Sequence, residues 1–425
     1  MLNRIRRMSR TLLCAAVSAA LLVASGPLLS HGGVRHDFRL AGGRWFDGRA
    51  FAARTVYTVG GVFRDSWDGP VEATLDLSGK FVVAPYGDAH THELGGGPNP
   101  EDRVRDRLRA GIFYVQNTNN IPKWTEPFRA LVNRPESVDV TYANGGLTST
   151  GGHPVQIYEM VAEHPLVPGW TKADMPDQAY FIVDDAASLE AKWPLVLAGK
   201  PDFVKVYLEH SEEFAKRRSD PAFFGRRGLD PALLPLIVKR AHAAHLRVVA
   251  HARTAADFRF AVDAGVDQLA HLPLELLTDK DAKRAAKAGV SVVTTTLGHW
   301  DKEGMSDAAA DDLHRKNLTP LHAAGVPIAF GVDGHPPLLA EVENVRRLKV
   351  FDDVTLLKML TGTTPKVIFP SRRIGCLEAG CEASFLALEG NPLEDFSSLK
   401  RIGMRMKQGC VLRLDAQGGV APPAH

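Results

Sequence analysis

The 425-residue sequence contains only four cysteines, no long low-complexity segment and no extended block of charges of one sign. A disulfide-based scaffold and a chain that is disordered over most of its length are therefore excluded. Apolar residues make up 45% of the chain and charged residues 24%, which is typical of a globular protein. At roughly 150 residues per domain the length suggests two or three domains, although a barrel of alternating strands and helices can exceed that as one domain.

A strong net charge is also missing. The chain has 51 basic and 49 acidic residues, and four of the basic ones lie in the first 25 residues, which contain no acidic residue. The remainder has 47 basic against 49 acidic residues. Such a balance gives no electrostatic footprint for nucleic acid. We therefore expect a small-molecule substrate and no nucleic-acid partner.

The one long hydrophobic run covers residues 11–24 and follows four arginines. It is shorter than the roughly 20 apolar residues that span a bilayer. Small residues mark its end at Val23-Ala24-Ser25, where a signal peptidase could cut. We expect residues 1–25 to be a signal peptide and the mature protein to be periplasmic or secreted, without membrane association. An uncleaved membrane anchor is the alternative.

Three cysteines lie beyond that segment: Cys376, Cys381 and Cys410. An oxidising compartment permits one disulfide among them. Cys376 and Cys381 close a short loop, and the competing pairing joins Cys410 to either of them. Their spacing is not that of a zinc knuckle, so we expect no metal at these residues.

The middle of the chain, residues 87–368, alternates helices and strands, a pattern that favours a parallel sheet. The predicted strands cover residues near 89, 112–116, 138–143, 203–208, 248–250, 268–270, 290–296 and 328–332. The predicted helices cover residues 101–110, 126–133, 187–198, 231–245, 255–264, 279–288 and 308–324. Eight strands over roughly 280 residues match the size of a (β/α)8 barrel, with an open doubly wound sheet as the alternative.

Short β-like runs occupy both ends of the chain, in residues 36–86 and 369–418. Each end has too few strands to close a domain, so we expect the two ends to form one small β-sandwich beside an α/β TIM barrel. A long insertion, residues 145–184, follows the third strand. Loops after barrel strands lie on the catalytic face, which makes the insertion a candidate lid. The alternative is a surface excursion without substrate contact.

Polar residues stand at the ends of several predicted strands. His90 and His92, in Asp88-Ala89-His90-Thr91-His92, are two apart on a strand and so point to the same side. The other such residues are Lys205, His251, His271 and Asp333, each in a strand of its own. The ends of barrel strands converge on one face. These residue types at that face indicate a metal site.

This set on a barrel, with β segments at both ends, resembles the amidohydrolase superfamily of metal-dependent hydrolases, near its imidazolonepropionase-like and Xaa-Pro-dipeptidase-like members. The resemblance extends from about residue 45 to 411. Three further motifs support it: Leu360-Thr361-Gly362-Thr363-Thr364-Pro365, Gly375-Cys376-Leu377-Glu378-Ala379-Gly380 and Leu388-Glu389-Gly390-Asn391-Pro392-Leu393.

The resemblance implies a centre of two divalent ions. His90, His92 and Asp333 would bind the buried ion, and His251 and His271 the outer one. A carbamate formed from Lys205 and carbon dioxide would bridge them. Zinc is the metal we expect for a site rich in imidazole, with manganese, iron or cobalt as alternatives. A metal-bridging hydroxide would attack the substrate carbonyl, and Asp333 would be the catalytic proton carrier.

The expected activity is hydrolysis of a carbon–nitrogen bond in a cyclic amide or a dipeptide-like molecule. The same centre could serve a lactonase or phosphotriesterase, and a non-catalytic metal- or ligand-binding barrel is the alternative from another class. Substrate contacts are expected from residues in loops after the strands: His153, Tyr207, Arg253, His299 and His335. The substrate, the native metal and the presence of a homo-oligomer are left open.

Overall fold

The structure, a computed structural model, describes residues 36–163, 169–297, 304–334 and 337–414, together with the backbone of two short strands before them. The predicted signal peptide falls almost wholly outside these residues, as do His299 and His335. No helix among the described residues has the length and apolar character needed to cross a membrane.

Ten parallel strands build the central sheet structure, and most of their residues are buried. They are β10 (Tyr86–Thr91), β11 (Ile112–Asn117), β12 (Asp139–Tyr142), β13 (Gly146–Thr148), β14 (Tyr180–Ile182), β15 (Phe203–Tyr207), β16 (Arg247–His251), β17 (Gln268–Leu269), β18 (Ser291–Val293) and β19 (Ile328–Ala329). The strands pair in the orders β10-β11-β12 and β14-β13-β15-β16-β17-β18-β19. Burial on both faces explains why they are read from the sequence as continuous apolar runs.

Backbone hydrogen bonds also connect β10 to the chain that follows β19. The amide of Ala89 donates to the carbonyl of Phe330 at 2.8 Å, and the amide of Val332 donates to that of His90 at 2.9 Å. This contact is close because residue 331 is glycine: a Cβ there would lie 2.7 Å from the backbone nitrogen of His90. The last strand is thereby held beside the first.

The third predicted strand, residues 138–143, corresponds to β12, which pairs with β11. A further strand, β13, lies at the start of the predicted insertion and pairs with β15 and with β14, which also belongs to the insertion. The insertion was predicted as a loop, and that detail was wrong, because it contributes two strands to the parallel sheet. Residues 143–145 separate β12 from β13, and a Cβ on Gly145 would be 2.8 Å from the carbonyl oxygen of Gln178.

Helices follow most of the parallel strands. They are α1 (Pro100–Arg109), α2 (Pro122–Arg129), α3 (Val155–Ala162), α4 (Ala186–Ala198), α5 (Phe214–Arg217), α6 (Leu234–Ala243), α7 (Ala255–Ala264), α8 (Asp279–Ala288), α9 (Asp307–Ala323), α10 (Leu338–Arg347), α11 (Asp353–Lys358) and α12 (Thr364–Ile368). The predicted bounds of α7 and α8 are confirmed, since Thr254 and Thr278 cap their N-termini. The prediction for α2 was four residues late because Pro122, not Glu126, opens the helix.

The remaining strands lie in two sheets, an eight-stranded one that combines strands from both ends of the chain and a four-stranded one built from β3, β6, β7 and β8. They are β1 (Cys14–Ala16), β2 (Leu29–Ser30), β3 (Phe38–Ala41), β4 (Arg44–Phe46), β5 (Phe51–Ala53), β6 (Val56–Val59), β7 (Val62–Arg64), β8 (Ala73–Asp76), β9 (Phe81–Val83), β20 (Phe385–Leu388), β21 (Ile402–Lys407) and β22 (Cys410–Leu412). Strand β9 pairs directly with β20. Trp45, Phe63 and Phe385 pack together in a core shared by the two sheets.

A disulfide and a buried ion-pair cluster stabilise the C-terminal part of the chain. A disulfide joins Cys376 to Cys381, with their Cα atoms 6.0 Å apart, which confirms the short-loop pairing. Cys410 is buried and is not part of this bond. At the junction of β21 with β12, the fully buried Lys407 donates to Asp139 at 2.7 Å, and Arg372 pairs with the other oxygen of that carboxylate at 2.8 Å.

Candidate metal centre

The polar residues predicted at strand ends meet at one mouth of the parallel strands. His90 lies on β10 and Lys205 on β15, His251 ends β16, and His271 and Asp333 follow β17 and β19. All of them, with His92, line one cavity of about 760 Å³. The structure thus brings together all six residues predicted as metal ligands.

Four of these residues form what we call the inner group: His90, His92, His271 and Asp333. The Nε2 atoms of His90 and His92 lie 2.9 and 3.1 Å from Oδ1 of Asp333. Nδ1 of His271 lies 3.9 Å from Oδ2 of the same carboxylate. Three imidazoles therefore surround one carboxylate.

The other nitrogen of two of these rings is held by the backbone. Nδ1 of His90 lies 3.1 Å from the carbonyl of Ala270, and Nδ1 of His92 lies 3.2 Å from that of Asn119. A carbonyl oxygen only accepts, so each Nδ1 carries a proton and a neutral ring presents a bare Nε2. Burial lowers the pKa of His90 to about 4, so this ring is neutral near pH 7.

Two acceptors thus face each other at hydrogen-bond distance, Nε2 of His90 and Oδ1 of Asp333. This arrangement is unfavourable unless a cation lies between or beside them. The inner group therefore fits a divalent cation by its donor set as well as by its geometry.

Asp333 itself has a φ of +54°, a left-handed conformation that is uncommon for residues other than glycine. Its backbone amide donates to the carbonyl of His90 at 2.8 Å. This backbone conformation turns the carboxylate toward the histidines in the segment that follows β19. Strain of this kind concentrates at functional sites.

His271 is oriented by a side chain. Its Nδ1 lies 2.9 Å from Oγ1 of Thr295, a residue with a φ of +42°. The backbone beyond Thr295 is held by Glu341 of α10, whose carboxylate accepts from the amides of Thr296 at 2.7 Å and Leu297 at 2.9 Å. Helix α10 therefore fixes the loop that orients His271.

Lys205 is 1% exposed, and its Nζ lies 5.2 Å from the centre of the Tyr207 ring. Burial lowers the pKa of Lys205 to about 7, against the opposing attraction of Asp333. Its charge acts on His90 and His271 and also on His153 and His251. Lys205 is thus in electrostatic reach of both sides of the centre, with a large neutral fraction near pH 7.

A second cluster contains a residue that the sequence analysis missed. We call it the outer group: His153, Glu209 and His251. Glu209, which is 6% exposed, has Oε2 at 3.9 Å from Nδ1 of His153 and from Nε2 of His251. Glu209 lies just beyond β15, which ends at Tyr207, so the alternation of side chains along the strand does not single it out.

The insertion forms one wall of the cavity, together with the start of α2. Ile157, Tyr158 and Trp170 of the insertion line this wall, together with Ile121 and Trp124 at the start of α2. The rings of Trp124 and Trp170 lie 5.1 Å apart, edge to face. The insertion therefore borders the cavity, and its role as a lid in contact with substrate stays a prediction. Among the predicted substrate contacts, His153, Tyr207 and Arg253 also line the cavity.

Comparisons with known proteins agree with this arrangement. A family model described as "Amidohydrolase family" matches residues 197–411, about half of the chain. The ochratoxinase of Aspergillus niger is 29% identical over 177 residues, which are 39% of this chain and 37% of the ochratoxinase. The aligned part is thus well under half of that relative's length.

Two solved structures have the same fold. A. niger ochratoxinase superposes with a TM-score of 0.70 at 19% identity, over 89% of this chain and 96% of that one. A prolidase complexed with N-methylphosphonate-L-proline gives 0.67 at 20% identity, over 89% and 99%. These likenesses confirm an α/β fold of the TIM-barrel type with an additional sheet; full barrel closure and the predicted domain limits remain predictions. By the extent of the family match, the chain belongs to the amidohydrolase family.

Proposed function

We propose that the protein is a metal-dependent hydrolase that cleaves an amide carbon–nitrogen bond in a small molecule. The observation that carries the proposal is the inner group, where Nε2 of His90 and Nε2 of His92 converge on Oδ1 of Asp333 while the backbone holds the other nitrogen of each ring. Family membership supports the choice of an amide bond, and the names of the ochratoxinase and the prolidase point the same way.

His90, His92 and Asp333 would hold the inner ion, with His271 beside them. When bound, divalent ions in such a site polarise a carbonyl oxygen and lower the pKa of water to near neutrality. Nitrogen ligands with one carboxylate favour zinc. The tautomers that the carbonyls of Ala270 and Asn119 impose leave the required lone pairs facing the site.

Asp333 is the proton carrier in this proposal. Its carboxylate is ionised at neutral pH and accepts a proton from the attacking water as the oxygen–carbon bond forms. It then donates that proton to the leaving nitrogen as the carbon–nitrogen bond breaks, so a neutral amine departs and a carboxylic acid remains. His92, whose side chain is 40% exposed, lies on the open side, where substrate enters.

We further propose that Lys205 is carboxylated by carbon dioxide. A buried amine with a pKa near 7 is neutral often enough at physiological pH to react, and the resulting anion would suit the histidine-rich site around it. The step joins the nitrogen lone pair to the carbon of carbon dioxide and releases one proton. The carbamate would lie between the inner and outer groups.

The cavity supports a substrate with one flat or apolar part. The wall of Trp124, Tyr158 and Trp170 can hold a ring or a hydrocarbon chain, while Arg253 offers a guanidinium for a carboxylate. A cyclic amide or a dipeptide-like molecule with an apolar side chain fits both. We also propose that eight strands close the barrel and that the protein is exported, as residues 1–25 predict.

A hydrolysis screen of the zinc-loaded mature protein tests the activity. The panel contains N-acyl amino acids, dipeptides, hydantoins, lactones and phosphotriesters. We expect turnover of amide substrates, with the highest kcat/KM for those with an apolar side chain, and loss of turnover on chelation. Turnover confined to lactones or phosphotriesters would contradict the proposed bond, and full activity after complete metal removal would contradict the mechanism.

A further inference from the structure

We propose that a second cavity, at the opposite end of the parallel strands from the metal centre, binds a small carboxylate that carries an apolar body. We call it the lower cavity, and Arg247 is the residue that would hold the carboxylate. No residue of the described part of the chain lines both cavities. The inference therefore does not depend on the proposed hydrolase activity.

The lower cavity lies where the parallel strands begin. Its volume is about 820 Å³, against about 760 Å³ for the cavity of the metal centre. Its lining includes Arg247, Ser291 and Ile328, which are the first residues of β16, β18 and β19. His251, in the lining of the metal-centre cavity, is the last residue of β16. A volume of about 300 to 1,000 Å³ is typical of sites for small molecules.

Much of the wall is apolar and comes from separate parts of the chain. Phe46 ends β4, Phe351 and Met359 flank α11, and Leu377 lies in the loop that the disulfide closes. Each of these four residues is at most 8% exposed. The ring of His322 packs edge to face on that of Phe351, with the ring centres 4.8 Å apart. Such a wall can hold a ring or a hydrocarbon chain.

The disulfide loop is fixed against the rest of the wall. The bond between Cys376 and Cys381 closes the loop. Just before it, a Cβ on Gly375 would lie 2.8 Å from the carbonyl oxygen of Gly362, so the two backbones are in direct contact. Gly362 belongs to the π-helical turn Met359–Thr363, a feature that is frequent at functional sites. The wall is therefore formed before a ligand binds.

Arg247 is half-buried, and only one nitrogen of its guanidinium is hydrogen-bonded to the described residues. Nη1 donates to the carbonyl of Val367 at 2.6 Å. No carboxylate among those residues lies within ion-pair distance of the guanidinium. Burial lowers the pKa of Arg247, although Asp267 attracts its charge. Nε and Nη2 together form a planar fork that matches the two oxygens of a carboxylate.

Two of the acidic side chains in the lining are already held by the backbone. Asp267 accepts from the amide of Val248 at 2.7 Å, and the same oxygen lies 3.0 Å from Nε2 of His242. Asp47 accepts from two amides of its own turn, at 2.8 and 2.9 Å. The third acidic residue of the lining, Glu378, is exposed. These acids therefore leave the fork of the arginine available to an external carboxylate.

A competing explanation is that Arg247 serves only the backbone. Val367 lies in the last turn of α12, and a cation at the C-terminus of a helix is favourable in itself. That role uses one nitrogen, however, and does not account for an apolar cavity lined by the same arginine. Two exposed lysines, Lys358 and Lys366, also line this cavity and would attract an anion to it.

The test measures the binding of benzoate to the full mature zinc-loaded protein by calorimetry, with benzamide as the neutral isostere. We expect saturable binding of benzoate at millimolar concentration or below, and binding of benzamide about tenfold weaker or more. Arg247→Gln should weaken the binding of benzoate by about tenfold or more, since it removes a charged hydrogen-bond donor. Arg240→Gln is the matched control, because this partly buried arginine pairs with Glu190 and lies outside the cavity lining.

Thr363→Phe tests the space instead of the charge. Thr363 is half-buried in the lining, so a phenyl ring there should fill part of the cavity and also weaken the binding of benzoate, with Arg247 intact. This variant decides the matter if thermal unfolding shows that Arg247→Gln does not fold. Unchanged benzoate binding in either folded variant would assign the ligand to another site, such as the metal centre, and overturn the proposal. Equal affinity for benzamide, or no saturable binding of benzoate, would overturn it as well.

Discussion

Two regions of this chain bury charge, and they do so differently. At the junction of β12 and β21, Asp139 faces Lys407 at 2.7 Å and Arg372 at 2.8 Å, so a buried anion is matched by two cations. In the cavity, by contrast, His90 and Asp333 meet acceptor to acceptor. Nε2 of His251 is buried without a hydrogen-bond partner among the described residues.

The difference indicates what each region does. Buried charges that satisfy one another stabilise one arrangement of the chain. Buried polar groups without hydrogen-bond partners are retained in a protein where a bound ligand supplies the missing partner. We therefore expect substitutions at the junction to change stability without affecting chemistry, and substitutions in the cavity to do the reverse.

The largest effect is expected for Asp333→Asn. The amide keeps the shape of the side chain but removes the ligand charge and the proton acceptor, so kcat/KM should fall by a factor on the order of 10³ or more. The thermal midpoint measured without metal should not fall, because the substitution relieves the acceptor–acceptor contact. A large loss of stability with activity retained would show that Asp333 stabilises the fold and does not take part in the reaction.

Lys205→Ala should be nearly as damaging. Without the amine no carbamate forms, and we expect bound metal to fall from about two ions to one or fewer, with most activity lost. Short carboxylic acids added to this variant should restore part of both, since they can take the place of the carbamate. A folded variant that keeps two ions and normal turnover would contradict carboxylation of this lysine.

Lys407→Met tests the other side of the comparison. It leaves Asp139 with one cation instead of two and removes a donor to the carbonyl of Arg134. We expect the free energy of unfolding to fall by about 3 kcal/mol, with kcat/KM and metal content unchanged. The control is Lys80→Met, which breaks a partly exposed pair with Glu389 and should cost under about 1 kcal/mol.

The features of the fold and of the site that depend on local sequence patterns could be predicted. Buried parallel strands read as apolar runs, and the threonine caps of α7 and α8 set their limits. The polar residues at the strand ends could be predicted to lie close together, because the carboxyl ends of parallel strands lie on the same side of the sheet. All six predicted ligands accordingly line the same cavity.

The parts that depend on long-range contacts could not be predicted. The need for glycine at residue 145, between β12 and β13, arises from the backbone of Gln178, more than thirty residues later, which passes close to it. Glu209 acquires its importance only when His153, from the insertion, reaches it. Likewise, nothing local in the sequence indicates that Glu341 of α10 holds the loop that orients His271.

The smallest effect is expected for the hydrogen bond between Thr295 and His271 in that loop. Thr295→Val keeps a β-branched side chain, so the backbone at φ +42° is no more strained than before, but the partner of Nδ1 of His271 is lost. Loss of such an orienting bond typically costs 10- to 100-fold in metal affinity. We expect a decrease in that range by chelator competition, with Thr295→Ser, which keeps the hydroxyl, close to the wild type. Equal affinities for the valine and serine variants would show that the hydroxyl does not orient His271. The inner group would then depend on its two backbone-held histidines and Asp333 alone.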